Sequence, residues 1–89
     1  AGFAPVDMTA LAQRMAETYG PVCEDAGQRL IPKISKGIVW RGDQALLMQL
    51  MVNLLDNCVR HAGAGAEVML VLRSSCLSVT DTGPGVDED

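Results

Sequence analysis

Asn53, Asn57, Arg60 and His61 follow one another at intervals of three or four residues, and Asp81 opens the run Asp81-Thr82-Gly83-Pro84-Gly85. On a helix, that first spacing puts all four side chains on one sector of the wheel. Burying an amide without partners costs about 1–3 kcal/mol, so two amides four residues apart on an otherwise apolar stretch need a reason to be there. Either they face water, or their oxygens face a hard cation or a phosphate cluster, with Arg60 adding positive charge one turn on. Spacing leaves both readings open. The D-x-G-x-G run is equally two-sided. It fits an ordinary glycine turn, or a bend that brings bare backbone close to a ligand, where the carboxylate accepts from an exocyclic amine such as that of adenine.

The element that must carry the first group is the stretch Asp43 to Ala62. Leu46, Leu50, Leu54 and Cys58 form one i,i+4 row and Leu47, Met51, Leu55 and Val59 the next, which predicts a helix with a wide apolar face turned to the core. Asp43 is placed to cap its start, and Gly63 to end it in a left-handed conformation. Upstream, Phe3 to Val6 reads as a short strand, with Asp7 capping an amphipathic helix from Met8 that crosses Gly20-Pro21 with a kink and closes at Gly27. Arg29 to Ile34 and Gly37 to Arg41 read as the two strands of a hairpin, the first demoted to an edge or a bulge by Pro32. Trp40 is expected in the core where the second strand feeds the long helix. Ala66 to Arg73 and Cys76 to Thr80 read as two antiparallel strands around Ser74-Ser75. The order β-α-β-β-α-β-β predicts an α/β fold, a two-layer sandwich with both helices on one face of a mainly antiparallel sheet.

With 89 residues, the chain has room for one domain of marginal independent stability. Hydrophobic residues make up 48% but aromatics only 3%, so the core must be aliphatic. The formal net charge of −4, with basic residues scattered, argues against a nucleic-acid partner. No apolar run is long enough to span a bilayer, and no signal core is present, so the segment reads as soluble and cytoplasmic. Cys23, Cys58 and Cys76 have no C-x-x-C spacing and read as small apolar residues in a reducing compartment. A structural zinc site is not expected, because the only His sits on the polar stripe and zinc would need a four-ligand set.

NLLDNCVRHA followed by DTGPGV, joined by two strands, resembles the ATP-binding domain of bacterial sensor histidine kinases within the GHKL ATPase superfamily. The likeness covers nearly the whole chain, including the PVDM start, AGQRL and WRGDQALLMQLMVNLLDN. It implies an N box over residues 53–61 and a first glycine box over residues 81–85. By that resemblance Asn57 is the Mg²⁺ ligand, Asn53 lines the phosphate site, Arg60 contacts phosphate and His61 occupies the neighbouring position. Asp81 bonds the adenine amine, and Gly83 and Gly85 shape the pocket. One neutral Asn oxygen suffices for Mg²⁺, which keeps its waters and phosphates. In gyrase-like, MutL-like and heat-shock-chaperone members a Glu stands at the position of Asn53 and acts as general base. An Asn cannot take a proton at neutral pH, which favours phosphoryl transfer over hydrolysis.

The family's second glycine box and ATP lid are missing after Asp89, as is its phosphoacceptor His. The chain therefore reads as residues 1–89 of a partial histidine kinase-like ATPase domain, a fragment that binds ATP and Mg²⁺ weakly or not at all by itself. It would also expose an open sheet edge prone to self-association. The expected role is that of an ATP-binding segment of a two-component sensor kinase. That segment would serve a His on a helical dimerisation domain and, beyond it, a response regulator, in a parent that is cytoplasmic or membrane-anchored. The alternatives are a degenerate ATPase-like interaction or phosphotransfer module, or another GHKL ATPase or anti-sigma-type serine kinase.

Overall fold

A computed structural model of the chain describes residues 3–82. Gly83, Pro84 and Gly85 of the glycine run lie outside the described residues. The elements are β1 (Ala4–Asp7), α1 (Met8–Asp25), β2 (Arg29–Ile34), β3 (Val39–Gly42), α2 (Gln44–His61), β4 (Glu67–Arg73) and β5 (Cys76–Asp81), the order expected from the sequence. Both helices start on the aspartates expected to cap them. Asp7 accepts from Ala10 N, and Asp43 accepts from Ala45 N and Leu46 N. These contacts satisfy amides that have no partner inside the helix. The first helix runs through Pro21 to a cap at Ala26, and Gly27 takes the left-handed conformation (φ +73°) that turns the chain into β2.

Strand pairing departs from the expected hairpin. Instead, β2 runs parallel to β4, with Leu30 opposite Val68, and β3 pairs antiparallel with β1, with Trp40 opposite Val6. Thr9 in the first turn of α1 explains the switch. Its hydroxyl donates to Ser35 O at 2.7 Å and accepts from Ile38 N at 2.9 Å, while Met8 N donates to Ile38 O at 2.8 Å. The chain around Gly37 is thereby tied to α1 and led away from β2. The three-stranded sheet has the order β2-β4-β5, with β4 and β5 antiparallel, and β1-β3 forms a separate ribbon. Trp40 bridges the two sheets. Half-buried rather than fully in the core, it donates from Nε1 to Ser74 O at 2.9 Å in the β4-β5 turn.

The core lies between the sheet and the helices. Val68, Leu70 and Leu72 alternate along β4 and are fully buried, as strand periodicity requires of one face. Against them pack Met8, Leu11, Met15 and Tyr19 of α1 and Met51, Leu55 and Cys58 of α2. Pairings are mainly antiparallel and the fold is the α/β layering read from the sequence. On α2, however, Leu46 and Leu50 remain 64% and 45% exposed. An i,i+4 row advances about 40° per step at about 100° per residue. The row starting at Leu46 therefore begins on the solvent face beside Asn53 and Asn57 and reaches the core only at Cys58. The left-handed end expected at Gly63 is also absent. Ala62 caps the helix in an extended conformation, and the left-handed glycine is Gly65 (φ +89°).

Candidate functional site

The second helix presents Asn53, Asn57, Arg60 and His61 to solvent along one stripe. Among the described residues, none of these side chains bonds to another protein group. Four polar side chains held on a capped helix and left free by the other described residues can therefore turn to a ligand. Arg60 and His61 fall in the last turn, where cations are favoured by the carbonyl end of the helix dipole.

Asp81 reaches this helix from the sheet. The antiparallel register of β4 and β5 places it opposite Val68, and the ladder continues one step as Thr82 N donates to Glu67 O at 3.0 Å and Glu67 N donates to Thr82 Oγ1 at 3.1 Å. At that position Asp81 Oδ2 accepts from the thiol of Cys58, with the sulfur 3.7 Å away. Cys58 is the residue after Asn57, so Asp81 is fastened to the turn of α2 that carries Asn57. The carboxylate of Asp81 stays exposed and keeps lone pairs for an outside donor. Burial, reinforced by Asp81, pushes the Cys58 thiol up to about 11, which keeps it a protonated donor near neutrality.

Three side chains that the sequence reading left in the background support the helix. Cys58, read there as an apolar filler, is buried but also hydrogen-bonded. Tyr19 OH donates to Asp56 Oδ1 at 2.8 Å, joining α1 to the turn of α2 that carries Asn57. Gln28 is buried and donates from Nε2 to Val59 O at 3.0 Å and Ala62 O at 2.6 Å. A glutamine beside a left-handed glycine between two apolar segments was the available signal for the last. Among the described residues, no three His, Cys, Asp or Glu side chains cluster as a metal site. A cation here would depend on Asn57 together with oxygens brought by a ligand, a donor set that suits Mg²⁺. No described helix is long and apolar enough to cross a membrane.

Comparison with known proteins identifies the fold and the family. The profile of the histidine kinase-, DNA gyrase B- and HSP90-like ATPases matches residues 42–89. The adaptive-response sensory kinase SasA of Crocosphaera subtropica is 31% identical over 85 residues, covering 89% of this chain and 22% of its own length. The sensor protein BasS of Escherichia coli is 36% identical over 62 residues, covering 66% of this chain and 17% of its own length. The chain thus spans about a fifth of these relatives. Among solved structures, the cytoplasmic segment of histidine kinase QseC superposes with a TM-score of 0.83 at 28% identity, covering 93% of this chain and 53% of that one. The catalytic domain of histidine kinase ThkA shares the fold, with a TM-score of 0.81 at 14% identity over 99% of this chain and 63% of that one. The matched half of the chain begins just before the cap of α2 and holds every residue of the stripe together with Asp81, and on that match the chain belongs to the histidine kinase-, DNA gyrase B- and HSP90-like ATPase family.

Proposed function

We propose that α2 and the end of β5 form the floor and the base end of a Mg-ATP site, and that the full-length protein is a sensor histidine kinase. The observation that carries this reading is the contact between Cys58 and Asp81, which joins the N-box helix to the glycine-box carboxylate. Asn57 supplies a neutral oxygen to Mg²⁺, whose charge offsets that of the triphosphate. Asn53 lines the phosphates, Arg60 bonds to them and His61 stands beside it. Asp81 accepts from the adenine amine, and Gly83 and Gly85 shape the rest of that end.

Phosphoryl transfer depends chiefly on positioning and charge neutralisation, and the stripe supplies both without a base. Asn53 cannot accept a proton from water at neutral pH, so transfer to a protein nucleophile is favoured over hydrolysis. The acceptor is a His on a helical dimerisation domain of the same protein, and a response regulator takes the phosphoryl group next. The site works on the cytoplasmic side, where ATP is available. A second, non-catalytic reading as an interaction module gains no support from a stripe of ligand-type residues left free at the surface.

The experiment is autophosphorylation of the full-length protein with labelled ATP across a Mg²⁺ titration. Asn57→Ala is expected to abolish Mg²⁺-dependent labelling while the protein stays folded. Labelling equal to that of the unaltered protein would remove Asn57 from the site and with it this assignment.

A further inference from the structure

Among the described residues, Gln28 is the one buried amide side chain, 6% exposed, and its position is set from both sides. Its own backbone N donates to Cys23 O at 2.8 Å at the end of α1. The flanking residues are tied to the loop after α2, with Gly65 N donating to Gly27 O at 2.8 Å and Arg29 N donating to Ala66 O at 3.1 Å. Glycine suits position 27, since φ is +73°, and an added Cβ would also lie a tight 3.3 Å from the Ala64 methyl. The corner between α1 and β2 is thus fastened directly beneath the C-terminal end of α2.

From that corner the amide of Gln28 reaches Val59 O at 3.0 Å and Ala62 O at 2.6 Å. These carbonyls bracket Arg60 and His61, the last two residues of the stripe. The last carbonyls of a helix lack intrahelical donors, and an unsupported final turn frays. An amide donates to two of them without bringing a charge into the core. Its Oε1, by contrast, is buried and meets no protein donor among the described residues. The cost of leaving that acceptor unmade is comparable to what the two donated bonds return, so the residue contributes little net stability. What it contributes is geometry at one turn.

We infer that Gln28 is a positioning residue for triphosphate binding, holding the last turn of α2 so that Arg60 and His61 face the same ligand as Asn53 and Asn57. This rests on the nucleotide reading of the stripe. It also assigns a task to a residue that touches no part of the ligand.

The test uses the full-length protein, with Mg-ATP and adenosine as probes in calorimetric titration and thermal unfolding as a fold control. Gln28→Met keeps the length and loses the donors, whereas Gln28→Asn keeps the amide and loses the reach. Each is expected to weaken Mg-ATP about 5- to 10-fold and to leave adenosine within about twofold, because only the phosphates meet the last turn. Adding Gln28→Met to the double variant Arg60→Ala/His61→Ala should then cost nothing further, and a further loss there would overturn the role of Gln28. Equal weakening of both probes, no change in either, or unfolding of both variants would each overturn the role of Gln28. Failure of the unaltered protein to bind Mg-ATP would instead overturn the nucleotide reading itself.

Discussion

Cys58 Sγ sits 3.7 Å from Asp81 Oδ2, so a buried thiol on α2 holds one oxygen of a carboxylate at the end of β5. The S–H is a weak donor, and its value is directional, since it occupies one oxygen and leaves the other exposed. A hydrogen bond to a charged acceptor contributes about 1.5–3 kcal/mol. Asp81→Asn in the full-length protein is therefore expected to weaken ATP by about 10- to 100-fold. It should also narrow the preference for ATP over GTP, because a carboxamide can offer either an oxygen to adenine or an N–H to guanine. Cys58→Ala should cost less than about tenfold. Competition binding with the two nucleotides decides the matter, and unchanged affinities for Asp81→Asn would remove Asp81 from the base end.

The rotation of α2 about its axis can be tested with one substitution type at two positions. Leu55 is fully buried and Leu46 is 64% exposed. Leu55→Ala should cost about 2–5 kcal/mol, enough to unfold a domain of this size, while Leu46→Ala should stay within about 0.5 kcal/mol. Urea denaturation followed by circular dichroism reads both. Comparable losses at the two sites would mean that the leucine row faces the core along its whole length.

That row shows where sequence reasoning reached its limit. Helix period, caps and alternation located every element, because each is a local signal carried by neighbouring residues, as at Asp43 for α2 and at Val68, Leu70 and Leu72 for β4. The stripe from Asn53 to His61 was legible for the same reason. Pairing is not local. That β2 joins β4 instead of β3 depends on Thr9, which lies on a different element from the turn it captures. Leu46 looked like core because a leucine at i,i+4 spacing says nothing about the slow drift of the row around the helix. The partners of Gln28, Tyr19 and Cys58 were invisible, since each bonds across more than twenty residues of chain.

The caps predict a smaller and more specific loss. Asp43 Oδ1 accepts from Ala45 N at 2.9 Å and Leu46 N at 3.4 Å. Asp43→Ala should cost about 1 kcal/mol, and Asp43→Ser or Asp43→Asn much less, since either restores an acceptor oxygen. Thermal unfolding of the three variants checks the order. An alanine variant as stable as the serine one would mean that the cap contributes nothing to the helix that carries the site.

The hydrogen bond from Tyr19 to Asp56 predicts how stability falls in alkali. Burial first, then the hydrogen bond and the charge of Asp56, push the Tyr19 hydroxyl up to about 12 from its ordinary 10.0. Between those values the unfolded chain releases a proton that the folded chain retains, so stability decreases as pH rises. The contribution is complete below pH 10 and gone once the pH passes about 12. Cys58 adds an earlier fall of the same sign, from its ordinary 9.0 to about 11. Tyr19→Phe removes the donor, costs about 1 kcal/mol at neutral pH and flattens the upper part of the decline. Burial also pushes the Cys23 thiol up from 9.0, so Cys58→Ala reduces the lower part without abolishing it and leaves the upper part in place. Urea midpoints measured for the three proteins across the alkaline range separate the two windows. A Tyr19→Phe variant whose stability drops above pH 10 as steeply as that of the unaltered chain would show that the hydroxyl is not held protonated by its burial beside Asp56.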